Sequence, residues 1–173
     1  MLLSHFLSFY KGQPNEQSAR ECYLAVEQAL WEEKILTPLT LIGALATVRI
    51  EVGKNYKPIR EYASGEAYEG RRDLGNTEKG DGVRYAGRGL IQITGRANYA
   101  FYGKRLGIDL LGNPDLALDL KVSAKILAMY FKDRGVDKWC NSKDWEVVRR
   151  KVNGGLNGYT EFLDVVNQFL SKL

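Results

Sequence analysis

Glu51 and Glu61 are placed so that two carboxyl groups can divide acid and base work between them. Such chemistry needs one carboxyl protonated, to donate to a leaving group, and one ionised, to activate water or stabilise positive charge. Glu51 closes an otherwise apolar run, Leu41–Ile50. An apolar setting favours the neutral form of a carboxyl, which suits a general acid. Glu61 follows ten residues later, past Gly53 and a Lys57-Pro58 step. Proline biases its predecessor towards extended backbone, so the intervening chain can carry the second carboxyl away from the first.

A second constellation lies in residues 84–99. In Leu90-Ile91-Gln92-Ile93-Thr94 the alternation predicts a short strand, with Leu90, Gln92 and Thr94 on one face and Ile91 and Ile93 on the other. One face packs; the other presents an amide and a hydroxyl. Gly87, Gly89 and Gly95 keep both ends clear for a ligand or a second backbone segment.

Several other chemistries lack their central residues. His5 is the sole histidine, which removes Ser-His-Asp, Cys-His and zinc-peptidase sites. No phosphate-cradling loop or complete dinucleotide fingerprint occurs. Asp73–Glu78 begins like a calcium loop without the acidic and glycine positions that follow. The expectation is therefore no metal and no organic cofactor. Cys22 and Cys140 lack metal-ligand spacing and read as buried thiols.

The elements that must position the two glutamates are mostly helical. Ala19, Cys22, Tyr23, Val26 and Leu30 recur at helical spacing between Asn15 and Lys34. Thr37-Pro38 supplies an N-cap and a first-turn proline for a helix to about Glu51, and Gly53 is placed to stop it. Residues 53–83, with no sustained period, read as a long ordered loop containing Tyr56, Tyr62 and Tyr68, with a short ribbon at most. Helices are expected over 96–106 and 119–134, each closed by a glycine. A helix capped by Ser142 should run to Asn153, and a last one should start at Tyr159 and bury Phe162, Val165, Val166 and Phe169.

The chain has 173 residues, the size of one domain, and a net charge of +4 that favours polyanionic surroundings. No run of five Lys/Arg marks a nucleic-acid arm, and no stretch reaches the length of a membrane span. Arg71, Arg72, Arg84, Arg88 and Arg96 read either as an electropositive rim or as scattered surface charges. The apolar start, Met1–Tyr10, lacks a basic region and a small-residue cleavage site, so it does not read as a signal peptide.

Tyr85–Tyr99, with Pro58–Glu61 and Asp73–Asn76 upstream and Asn113–Asp115 and Val152–Leu156 downstream, resembles the central motifs of family 19 glycoside hydrolases, the chitinase and phage endolysin group. The resemblance covers roughly residues 40–165. It implies a mainly α fold with minor β content, a lysozyme-like two-lobed single domain over residues 1–173 with a central cleft. It also implies an inverting hydrolysis of β-1,4 linkages, in which carboxyls roughly 6.5–9.5 Å apart leave room for a water. Ile50-Glu51-Val52-Gly53 occupies the place of the family's His-Glu-Thr-Gly-like acid element, with isoleucine and valine for histidine and threonine. Glu61 matches the second glutamate of the compact bacterial and phage members. The longer interval of plant-type members would point instead to Glu66, Glu69 or Asp73.

Water- and sugar-binding roles carry over to Gln92, Thr94 and Asn153, with Tyr85 and Arg88 lining the cleft. Asn153 also reads as a helix cap. The expected partner is a polysaccharide, bacterial peptidoglycan ahead of chitin, bound by a monomer with no nucleic acid and no stable membrane insertion. An endolysin of this kind would be made in the cytoplasm and reach the wall through a lysis pore. The competing expectation is a catalytically silent wall-binding domain, motivated by Ile50 and Val52.

Overall fold

The structure, a computed structural model, describes residues 2–171. Its helices are α1 (Leu2–Ser8), α2 (Glu16–Glu32), α3 (Pro38–Val52), α4 (Asp81–Arg84), α5 (Arg96–Leu106), α6 (Leu120–Asp133), α7 (Val136–Asn141), α8 (Trp145–Asn153) and α9 (Tyr159–Leu170). Two-residue strands β1 (Ile59–Arg60) and β2 (Arg88–Gly89) form the one small sheet among the described residues. The chain forms a helical unit, Met1–Lys57 with Ala124–Leu173, and a loop-rich unit, Pro58–Ser123.

The helical unit is built around α3. Every residue from Thr40 to Val48 is buried, the pattern of a helix apolar on all sides that must lie inside a core. Helices α2, α7, α8 and α9 pack against it. The expected cap is present: the Thr37 hydroxyl accepts from the Thr40 amide at 3.0 Å, Pro38 fills the first turn, and Gly53 ends the helix at φ 78°. Gly43 admits α7 closely, since a Cβ there would stand 2.5 Å from the Cys140 sulfur and 3.3 Å from the Trp145 ring. Cys22 and Cys140 are free and fully buried, as expected; burial pushes the Cys22 thiol up to about 12 and the Cys140 thiol higher still.

Two local expectations in this unit change, and one helix that the sequence did not announce is added. The apolar start forms α1, whose Phe6 ring packs against Tyr10, Tyr23, Tyr56 and Phe169. A separate helix, α7, precedes Ser142, which caps its C-terminus; Asp144 caps α8 instead, accepting from the Val147 amide at 3.1 Å. Aspartate caps as well as serine does, and a start at Trp145 turns Trp145 and Val148 into the core. In α9, Phe162, Val166 and Phe169 are buried, while Val165 is only half-buried.

In the loop-rich unit, β1 and β2 pair antiparallel with Ile59 opposite Gly89 and Arg60 opposite Arg88. The pairing continues one step as the Glu61 amide donates to the Gly87 carbonyl at 2.9 Å. The long loop is ordered by buried polar anchors. Asn76 donates to the Tyr68 carbonyl and accepts from the Arg96 amide, both at 2.8 Å. Asp81 accepts from the Thr77 and Glu78 amides and pairs with Arg96 at 2.6 Å.

The Arg96 guanidinium beside Asp81 holds its carboxyl below the usual aspartate range. A folded-state pKa below the unfolded value of roughly 3.9 contributes stability that is present above that pH and lost as pH falls through the folded value. Asp81→Asn should cost about 2–3 kcal/mol at pH 7, because Arg96 keeps Glu78 as a partner. Urea denaturation of the two proteins checks this, and the gap should narrow as pH drops below about 4.

The strand expected over 90–94 is corrected by the structure. Residues 90–92 form a turn, closed where the Arg88 and Ile93 backbones exchange hydrogen bonds at 3.3 and 3.0 Å. Leu90 and Ile93 are buried, and Gln92 adopts φ 52°. Alternation fails because the chain reverses there, so Leu90, Gln92 and Thr94 do not share a strand face.

Candidate active site

Glu61 is fixed by both backbone and side chain. Its position after β1 aligns it with Gly87, whose amide donates to one carboxyl oxygen, while the Tyr68 hydroxyl donates to the other at 3.0 Å. Burial and this bond to Glu61 raise the Tyr68 pKa, so the phenol stays a donor. Each carboxyl oxygen keeps a second lone pair with which to accept a proton. Gln92 stands at the same place: a Cβ on Gly87 would lie 3.1 Å from the Gln92 Oε1 and 3.3 Å from the Glu61 carboxyl carbon. Glycine therefore lets the amide and the carboxyl converge.

The left-handed backbone of Gln92 costs about 1 kcal/mol or more at a non-glycine residue. Its two amide protons, donated to the Ile59 and Gly89 carbonyls at 2.9 and 2.7 Å, hold it there. The Oε1 is what remains to present. Thr94 supports this turn, its hydroxyl donating to the Gln92 carbonyl at 3.1 Å.

The competing carboxylates are occupied otherwise. Glu69 accepts from the Gly80 and Gly82 amides at 2.6 and 2.9 Å, and Asp73 pairs with Arg71 at 2.5 Å. Glu66 is exposed in a short 3-10 turn, Glu66–Tyr68.

In the helical unit, Glu51 lies in the last turn of α3 and is mostly buried, with the Arg149 guanidinium donating to its carboxyl at 2.6 Å. Arg149 is itself 4% exposed and is held by the Asn157 carbonyl at 2.8 Å. The apolar surroundings expected for Glu51 therefore contain a cation. Sequence reading passed over Arg149, although it sits four residues after Trp145 and one after Val148, on the buried side of α8. A cation on an apolar stripe is the signal that could have found it. Asn153 ends α8 exposed, and Gly154, not Asn153, takes the left-handed position.

Two expected cleft-lining residues are interior. Tyr85 is buried against Tyr99, with its hydroxyl donating to the Leu111 carbonyl at 3.3 Å. Arg88 is buried, pairs with Asp115 at 2.8 Å and donates to the Arg84 and Ala86 carbonyls and the Tyr99 hydroxyl. Their polar atoms are spent on the scaffold, so they shape the turn that carries Gln92. Of the five arginines read as a rim or as scattered charges, Arg71, Arg88 and Arg96 are in ion pairs, Arg84 donates to the Leu111 and Gly112 carbonyls, and Arg72 is exposed.

Residues 50–151, which include both glutamates, Gln92 and Arg149, match the family model described as Chitinase class I. A glycosyl hydrolase family 19 domain-containing protein of Haemophilus influenzae is 40% identical over 108 residues, 62% of this chain and 52% of that protein. Chitinase 8 of Oryza sativa subsp. japonica is 57% identical over 42 residues, 24% of this chain and 16% of that protein. The chain thus spans about half the length of the bacterial relative and less of the plant one. Among solved structures, a bacterial family 19 chitinase has a TM-score of 0.68 at 23% identity, covering 87% of this chain and 84% of its own. A chitinase C has a TM-score of 0.69 at 21% identity, covering 97% and 90%. The mainly helical, lysozyme-like class expected from the sequence is therefore the class of the structure. With its motifs in order and the matched region covering more than half of its length, the chain belongs to the family 19 glycoside hydrolases.

Proposed function

We propose that residues 1–173 act as one catalytic domain that cleaves β-1,4 linkages of bacterial peptidoglycan with inversion, as an endolysin does. Glu51 donates a proton to the leaving oxygen and Glu61 takes a proton from the attacking water. Gln92 orients that water or the sugar amide through its Oε1, and Thr94 and Asn153 contribute sugar contacts.

The observation that carries this reading is the setting of Glu61. It is a carboxylate oriented by two neutral donors, Gly87 and Tyr68, with the Gln92 amide oxygen beside the same glycine. A base held this way loses no time finding its geometry, the advantage that preorganised groups give catalysis. The basic net charge favours an anionic wall polymer over neutral chitin. Release through a lysis pore would bring a cytoplasmic product to that substrate.

Chitin is the second reading, because relatives and solved structures alike carry the name chitinase. Mass spectrometry of products from purified peptidoglycan and, in parallel, from chitin oligomers separates the two. New reducing ends from peptidoglycan, reduced by ~10²-fold or more in Glu61→Gln, are the expected result. Cleavage of chitin oligomers alone moves the assignment to chitin. Equal products from parent and variant overturn the role of Glu61. A silent wall-binding domain would give no new reducing ends from either substrate.

A further inference from the structure

The helical unit carries a concave feature that takes no part in the roles assigned above. A pocket of about 240 Å³ is lined by Phe9, Tyr10, Gln13, Arg49, Lys54 and Gln168. Two of these side chains are cationic and none is acidic. Among the described residues, neither Arg49 nor Lys54 enters an ion pair, in contrast to Arg71, Arg88, Arg96 and Arg149. A larger charged pocket in the loop-rich unit differs in containing carboxylates, Glu78 and Asp81, both paired with its Arg96. The lining of this pocket therefore brings two cations together with no carboxylate among them.

The pocket is also built. Arg49 is half-buried and lines the pocket beside Tyr10, whose hydroxyl bonds the buried Tyr56 hydroxyl at 2.7 Å. These phenols are neutral and bring no counter-charge to the guanidinium. Asn15 donates to the Lys54 carbonyl at 2.5 Å and fixes the base of the lysine. Gln13 donates one amide proton to the Phe9 carbonyl at 3.0 Å, which leaves its second for a ligand. Gln168 brings another side-chain amide to the rim.

We infer that this pocket binds a phosphate group, held by Arg49 and Lys54 with the Gln13 and Gln168 amides completing its shell. A guanidinium, an ammonium and two amides supply more donors than the two oxygens of a carboxylate use well, whereas a tetrahedral phosphate offers three or four oxygens to share. The phosphate can be a free ion or a link in a phosphodiester polymer. The chemistry of the pocket is the same for both.

Isothermal titration of the whole chain with inorganic phosphate, and separately with a glycerol phosphate oligomer, tests this at constant ionic strength against chloride. Saturable binding is expected, weakened about 10-fold in Arg49→Gln and in Lys54→Gln. Tighter binding of the oligomer than of the free ion identifies a polymer as the ligand, and equal binding identifies the ion. The exposed Lys54 can be changed without disturbing the Tyr10–Tyr56 pair, so its variant keeps the test valid if Arg49→Gln misfolds. No saturable binding, or unchanged affinity in the folded variants, overturns the inference. Binding is read without hydrolysis, so this outcome is independent of the proposed roles of Glu51 and Glu61.

Discussion

Exchanging Glu51 for glutamine should slow hydrolysis of the substrate by ~10²–10⁴-fold, the range that a positioned proton donor contributes. Glutamine has nearly the same shape and can still accept from Arg149, but it has no proton to give the leaving oxygen. The fold should survive with a stability loss of about 1–3 kcal/mol, because the buried Arg149 exchanges a charged partner for a neutral one. Initial rates on the substrate identified by mass spectrometry, set beside circular dichroism melts of both proteins, check the two halves separately. A folded Glu51→Gln protein with a rate within about threefold of the parent would remove Glu51 from the acid role.

Arg149→Met should be strongly destabilising to the helical unit. It strands the Glu51 carboxyl in a largely buried position and removes the donor of the Asn157 carbonyl, which together tie α3, α8 and the loop before α9. Breaking a buried pair by deleting one member costs about 3–5 kcal/mol, a drop of about 10 °C in melting temperature for a chain of this size. Arg149→Lys distinguishes positioning from charge alone. A lysine restores a cation, but it lacks the planar fork that reaches Glu51 and Asn157 together. It should recover part of the stability and little of the rate. A melting temperature unchanged in Arg149→Met would show that the pair holds nothing.

The helices were legible where an apolar stripe persists over several turns. In α2 the five residues picked by spacing are all buried, and the Thr37-Pro38 start of α3 carries a capping bond of the expected kind. Short elements were not, because one or two turns give too little period to recognise. This hid α1 and α7 and left Asp144 and Ser142 indistinguishable as caps. The alternating Leu90–Thr94 run failed for another reason. A turn closed by the Arg88–Ile93 bridge overrides strand propensity, and its stabilising bonds reach back to Ile59, thirty-three residues earlier.

The same limit applies to the site. Residue types identified Glu51, Glu61 and Gln92 as groups able to do chemistry. One anchor of each glutamate lies far away in sequence: Gly87 for Glu61 and Arg149 for Glu51. Tyr85 and Arg88 lie among the residues that carry the family resemblance, yet their side chains serve the interior. A motif identifies a neighbourhood; burial and hydrogen bonding decide which of its members face a substrate.

The most direct measurement of the two-carboxylate account is proton NMR of the first anomer released from the β-1,4-linked substrate, followed before mutarotation. Glu61 acting as a base on water predicts the α-anomer first from the parent, with its appearance suppressed in Glu61→Gln. Initial release of the β-anomer, or α-anomer appearing equally fast from the variant, would contradict it.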